Sequence, residues 1–238
     1  MLCKIADLIT EVPETGGLAP RLRAYQWTGD QAVEPDIVIR ESDYRPHMWQ
    51  GSSREQFCYM ESGCRFYARL LCFQGMMLHA SAIVYDGRAY LFSGDSGVGK
   101  STHTRAWQDM LGADRAPIIN DDKPALRYLD GKWYAYGTPW CGKDGINLNM
   151  QAPLGGICFL EQGSENKISL LDPKDAIAHL IPQTMHWFSR PEKVYLMLGH
   201  LQTLLNVIPM FHLVNKPEPH AAELSFETMT SEAKKRGL

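Results

Sequence analysis

One stretch constrains this chain more than any other. Gly94-Asp95-Ser96-Gly97-Val98-Gly99-Lys100-Ser101 satisfies G-x-x-x-x-G-K-[ST] at every fixed position. A turn of that composition folds usefully only if a strand delivers it and a helix receives it. Arg88 to Ser93 reads as the strand, and Ser101 to Leu111 as the helix, with Trp107 and Leu111 four apart and Gly112 as a stop. The glycines allow the backbone N–H groups to wrap a polyphosphate, and the helix start at Lys100, Ser101 and Thr102 adds its positive end. Residues 94–102 are therefore expected to cradle a nucleoside triphosphate. Lys100 would reach the outer phosphates, and the Ser101 hydroxyl would ligate the accompanying Mg²⁺.

The flanking sequence fixes the kind of sheet. Met77 to Tyr85 and Arg88 to Ser93 are apolar runs joined by Asp86-Gly87, a strong two-residue hairpin signal. The same device recurs at Asp130-Gly131, between Pro124 to Leu129 and Lys132 to Tyr136. Two hairpins beside the cradle do not fit a doubly wound parallel sheet. The expected fold class is α/β, with a mixed, partly antiparallel sheet. Ala116 to Ile119 and Gly155 to Leu160 read as further strands, with a turn at Gln162-Gly163-Ser164.

Elsewhere the signals vary in strength. Pro13, Gly16, Gly17, Pro20, Gly29, Pro35 and Pro46 interrupt residues 1 to about 55, where Asp36 to Arg40 alternates like an edge strand. A small β-rich lobe or arm over 1–60 is expected, followed by a catalytic domain over 61–238. Phe66, Leu70, Leu71 and Phe73 predict a helix over 65–77. Asp172-Pro173 and Ser189 with Pro191 announce helices to about 185 and 208; Met210 to Val214 reads as a strand and Glu218 to Lys235 as a last helix.

Composition excludes several classes. With 238 residues and 45% hydrophobic content, the chain can bury a sizeable core. A net charge of −3, with no basic block, gives nucleic acid no electrostatic foothold. No leader pattern or membrane-length apolar run is seen, so a cytoplasmic protein with no membrane partner is expected. The six cysteines form no C-x-x-C pair and read as reduced core residues, without a structural zinc. Cys141 is the one placed near the phosphates.

A cradle binds; transfer needs a metal ligand and a proton acceptor. Asp121 and Asp122 follow an apolar strand about twenty residues after Lys100, where strand-end carboxylates can sit beside Mg²⁺ and the γ-phosphate. Adjacent strand residues point to opposite sides, so Asp121 is assigned to the metal and Asp122 to the acceptor hydroxyl as base.

His79, the 94–101 motif and Asp121-Asp122 together resemble the C-terminal catalytic domain of HPr kinase/phosphorylase, within the phosphoenolpyruvate carboxykinase-like P-loop superfamily. More closely, Leu78 to Ala82, Gly99 to Thr104, Asn120 to Arg127 and Gly137 to Lys143 resemble bacterial HPr kinase-like proteins, over about residues 60 to 230. The resemblance implies a mixed sheet with a P-loop, Asp122 as the base for phosphorylation and the acid for phosphorolysis, Lys100 on phosphate, Ser101 on metal, and His79 as a functional histidine. It also allows for a homo-oligomer. Thr138 to Asn149 offers Lys143, Asp144, Asn147 and Asn149 but no glutamate where HPr kinase uses one to dock its protein substrate, so HPr is not carried over. Lys143, between Gly142 and Gly145, is a candidate second cation on the phosphates.

The expected function is that of an ATP-dependent, Mg²⁺-requiring kinase acting on a hydroxyl, either a protein or peptide serine or a small-molecule alcohol. The alternative is a nucleotide-binding regulatory module with little or no ATPase activity, signalling through its N-terminal lobe.

Overall fold

A computed structural model describes residues 1–29, 32–45, 51, 53–185, 190–216 and 218–238. Pro46, an expected break, and Ser189, part of an expected helix start, lie outside these residues. The strands are β1 Leu2–Ile5, β2 Leu8–Glu11, β3 Ile37–Val38, β4 Gly75–Met77, β5 Ala80–Tyr85 and β6 Arg88–Ser93, then β7 Ile118–Asn120, β8 Ala125–Leu129, β9 Lys132–Tyr136, β10 Gln151–Gln162, β11 Lys167–Leu170 and β12 Met210–Asn215. The helices are α1 Ala19–Leu22, α2 Arg54–Leu70, α3 Lys100–Leu111, α4 Pro173–Leu180, α5 Pro191–Val207 and α6 Pro219–Lys235.

Both Asp-Gly turns close hairpins. Asp86 and Gly87 have φ of 49° and 72°, and Asp130 and Gly131 have 49° and 80°, the left-handed pair that a right-twisted hairpin requires. They join β5 to β6 and β8 to β9, with Tyr85 opposite Arg88 and Leu129 opposite Lys132. The main sheet runs β4-β8-β9-β10-β6-β5-β7, with β12 beside β10 and β11 beyond it. Within it β10 is parallel to β6 and β12, while the other pairs are antiparallel. The sheet is mixed, as expected.

Alternation sorts side chains onto two faces. Ala89 and Leu91 of β6, with Ile157 and Phe159 of β10, meet Leu180 of α4 and Met197, Leu201 and Leu204 of α5. Tyr90 and Phe92, with Cys158 and Leu160, meet Trp107 of α3 and Ala222, Met229 and Ala233 of α6. Full burial of a side chain such as Leu201 contributes roughly 1.5–3 kcal/mol. Strands β1, β2 and β3 form a separate three-stranded sheet, but their core is continuous with Phe66, Tyr67 and Leu70 of α2, Met77, Ala125 and Trp140. The boundary expected between 60 and 61 falls inside α2.

Four elements differ from expectation. Helix α2 starts at Arg54, not 65, because Ser53 and Gln56 form a reciprocal capping box. It gives way by Gln74, whose φ of 56° is left-handed, to β4. The strand expected over 77–85 is broken at Leu78-His79: β4 pairs with β8, whereas β5 pairs with β6 and β7, and the His79 N–H bonds Gln183 O at 2.7 Å. Helix α4 stops at Leu180, not near 185, where the chain tightens into a 3-10 turn over Ile181–Gln183 containing Pro182. Strand β11, exposed along the edge of β12, was not foreseen.

Cys3, Cys58, Cys141 and Cys158 are buried free thiols; Cys64 is half-buried, and Cys72 is exposed rather than in the core. No described helix is long and apolar enough to cross a membrane.

Candidate active site

The Gly-rich segment leaves the carboxyl end of β6 and runs directly into α3. Gly94 has φ of 138°, and a Cβ there would come within 3.0 Å of Leu160 O, so only glycine fits. The first helical bond is His103 N–H to Gly99 O at 2.8 Å, and the N-cap, Gly99, has no side chain to cap the earlier amides. The N–H groups of Lys100, Ser101 and Thr102 thus stand outside the helical ladder at the positive end of α3. Lys100 is 8% exposed and folds back on the loop, its Nζ donating to Gly94 O at 2.8 Å and Asp95 O at 3.0 Å. Burial pushes its pKa down, against the pull of Asp122 and Asp95.

A cleft of about 710 Å³ opens beside this loop. Of the residues singled out in the sequence, His79, Ser96, Gly97, Gly99, Lys100, Ser101, Thr102, Asp121, Asp122 and Lys143 line it. Gly94, Asp95 and Val98 line a neighbouring hollow of about 540 Å³ instead. Both carboxylates of the pair face one cleft because they lie in the bend past Asn120, where strand alternation no longer applies.

The pair is held from below. Asn120, fully buried at the end of β7, accepts the N–H groups of Asp122 and Lys123 at 2.9 and 2.7 Å. Its amide nitrogen donates to Thr138 O at 3.1 Å and to Trp140 O at 3.2 Å. Asp121 accepts the Gly142 N–H at 2.6 Å, and burial raises its pKa above the usual carboxylate value. Asp122 lies 3.2 Å from His79 Nε2 and is also bonded by the Lys123 ammonium. Burial pushes Asp122 up, but His79 and Lys123 outweigh it and bring its carboxyl down to about 2. The histidine is oriented in turn: Nδ1 meets Gln183 Oε1 at 3.2 Å, and Gln183 Nε2 donates to Asp95 Oδ1 at 3.3 Å. Polar contacts therefore run from Asp122 through His79 and Gln183 to the Gly-rich loop.

The other candidates separate by burial. Lys143 is exposed and makes no ion pair with a described residue, while its neighbour Asp144 is paired with Arg105. The Cys141 thiol is buried and pushed up to about 11, which leaves it unreactive. His103 is buried, bonded to Ser225 Oγ at 2.9 Å, and lowered to about 4 by desolvation, so it is neutral. Thr104 closes on Lys100 O at 2.8 Å.

Sequence reasoning missed Arg21, Tyr59, Lys123 and Gln183. The Tyr59 hydroxyl donates to Cys141 O and accepts the Cys141 N–H, both at 2.7 Å. Arg21 donates to that hydroxyl at 2.7 Å and to Gly142 O at 3.4 Å. Only Lys123, adjoining the Asp pair, carried a local signal.

The chain belongs to the family of the SynChlorMet cassette protein ScmC, whose profile matches residues 51–196, more than half of its length. That description names a cassette and no reaction, and the family is not the HPr kinase family that the motifs resemble. The matched span holds His79, the Gly-rich loop, the Asp pair, Lys143 and Gln183, and leaves Arg21 and α6 outside. Among solved structures, the Hpr(Ser) kinase/phosphatase from Coxiella burnetii matches with 12% identity and a TM-score of 0.39, covering 67% of this chain and 91% of that one. No curated protein matches the chain.

Proposed function

We propose that this chain is an ATP-dependent, Mg²⁺-requiring kinase that transfers the γ-phosphate to a hydroxyl, on a serine of a protein or peptide or on a small-molecule alcohol. The observation that carries this reading is the convergence of Lys100, Asp121 and the His79–Asp122 pair on a single cleft that borders the uncapped start of α3.

In this reading residues 94–102 act as a P-loop. The amides at the start of α3 hold phosphate oxygens, and Lys100 exchanges its two loop carbonyls for the outer phosphates. Ser101 and Asp121 fit Mg²⁺, a hard cation that takes one or two protein ligands and completes its shell with phosphate oxygens and water. When bound, Mg²⁺ neutralises charge on the phosphates. A buried Asp121 whose pKa is raised gains its charge most readily beside such a cation.

Asp122 stays ionised at neutral pH and orients the acceptor hydroxyl, with His79 fixing its carboxylate. A weak base suffices, because phosphoryl transfer through a loose transition state depends on positioning and electrostatics more than on early proton removal. Lys143, exposed at the rim, supplies a mobile second cation.

A regulatory module is the second reading, favoured by the bonds of Arg21 and Tyr59 that tie the N-terminal segment to the loop at 141–142. Incubation with γ-labelled ATP, Mg²⁺ and a cell extract separates the two. A kinase labels an acceptor fraction, and Asp122→Asn abolishes labelling while ATP still binds. Binding without transfer to any fraction overturns the kinase and leaves the module.

A further inference from the structure

The parallel strands β6, β10 and β12 finish at one edge of the sheet, with Ser93 opposite Phe159 and Gln162 opposite Asn215. Ligands of α/β sheets gather beyond such carboxyl ends. Besides the cleft of the aspartate pair, a hollow of about 670 Å³ lies there, between α3 and α6. The two spaces share Gly97, Gly99 and Thr102, so a ligand held by the start of α3 extends from one into the other. With its terminal phosphate at Asp122, its far end lies in the second hollow. The space lined by His179 and His212 meets the cleft through Ser96 and Gly97 but not through Gly99 and Thr102, and His212 is already paired with Glu161 at 2.9 Å.

The walls suit an aromatic base. Val98, Ala106 and Met110 face Pro219, Ala221 and Ala222 across it, and Met110 is 40% exposed, an apolar side chain left to be covered. Among these walls sits Asn215 at the end of β12, 7% exposed, whose buried amide oxygen has no hydrogen-bond partner among the described residues. Native buried polar groups rarely go unpaired. The other polar side chains there are accounted for differently: the buried His103 is bonded to Ser225, and the exposed rim carboxylate Glu218 is held by Lys216 at 3.2 Å and Asn166 at 2.8 Å.

We propose that this hollow is the base site of the nucleotide and that Asn215 selects a 6-aminopurine there, a proposal that rests on the triphosphate reading of the Gly-rich loop. A primary amide presents an acceptor beside a donor, which matches the 6-amino group and adjacent ring nitrogen of adenine. Along the N7 edge, where adenine sets its 6-amino group against the amide oxygen and N7 against the amide nitrogen, a 6-oxopurine offers two acceptors and sets its oxygen against that of the amide.

Calorimetric titration of the full chain with ATP, ITP and inorganic tripolyphosphate, each with Mg²⁺, tests this. ATP is expected to bind about tenfold or more tightly than ITP. Asn215→Leu is expected to bring ATP to about the affinity of ITP, with tripolyphosphate unchanged. Ala106→Phe, on the partly exposed face of α3, fills the hollow without touching the buried amide and is expected to weaken ATP about tenfold. Equal binding of ATP and ITP by the unaltered chain, or ATP affinity untouched by both variants while tripolyphosphate binds, overturns the base site and leaves the phosphate site standing. Failure to bind either ATP or tripolyphosphate overturns both.

Discussion

The Asn120 amide oxygen accepts the Asp122 N–H at 2.9 Å, so the carboxylate pair is set by a buried residue that does not line the cleft. With 0% exposure and bonds to both the 121–123 bend and the 138–140 segment, Asn120 couples the two sides of the site. Asn120→Ala leaves several buried groups unpaired and is expected to cost about 2–4 kcal/mol in urea unfolding. Transfer activity is expected to fall about 100-fold through misplacement of Asp122. Asn120→Asp keeps the two accepted bonds, loses the donated ones and buries a charge. Its unfolding curve should match that of the alanine variant more closely than that of the unaltered chain, and a neutral result for both would show that the bend holds itself.

Asp122 gives the fold a defined acid sensitivity. Burial raises its carboxyl, but the His79 contact and the Lys123 ammonium hold it at about 2, below its ordinary 3.8. A depressed folded-state pKa contributes stability above the unfolded value and loses it as pH falls through the folded one, here between about pH 4 and pH 2. The contribution is about 2 kcal/mol for a group only 22% exposed. Urea midpoints of the unaltered chain and Asp122→Asn should therefore converge as pH drops from 4 to 2. A gap that stays constant over that range would show that the carboxylate is not held by His79 and Lys123.

What was legible in the sequence, and what was not, follows from the range of the forces involved. The hairpins at Asp86-Gly87 and Asp130-Gly131 were readable because the positive φ they need is a property of two adjacent residues. The Gly-rich loop was readable for the same local reason. Helix α2 was read eleven residues short because its first three turns carry mixed polar side chains, although Ser53-Arg54-Glu55-Gln56 does spell its capping box. The break at His79 was hidden, since it depends on Gln183, 104 residues away. Arg21, Tyr59 and Asn215 reach the site region only through topology, and no spacing in the chain announces that.

Gly142 stands where a side chain would strike Asp121, the carboxylate proposed for the metal. A Cβ there would lie 2.7 Å from Asp121 Oδ2, and its N–H already bonds Oδ1. Gly142→Ala is expected to push Asp121 aside while costing less than about 1 kcal/mol of stability, since the residue sits in a half-exposed loop. The expected signature is a raised Mg²⁺ requirement, with transfer restored in part at high Mg²⁺. A Mg²⁺ titration of the labelled-ATP assay reads this directly, and an unshifted titration curve would remove Asp121 from the metal.

Lys100 closes the loop through two carbonyls and is proposed to reach phosphate as well, and these two roles respond differently to one substitution. The residue is only 8% exposed, so Lys100→Met keeps the packing of its stem and removes the ammonium. The lost bonds to Gly94 O and Asp95 O are offset by relief of a buried charge whose pKa burial already depresses, and the stability change is expected to stay within about 1 kcal/mol. Triphosphate affinity is expected to fall at least about tenfold, because a charge-assisted contact to the outer phosphates is gone. Lys100→Arg should not restore it, since a planar guanidinium cannot replace a compact ammonium enclosed by two carbonyls. Calorimetric titration with ATP beside a urea curve separates the two effects: a chain that stays folded and loses ATP has its lysine on phosphate, whereas one that stays folded and binds as before has a lysine that serves only to close the loop.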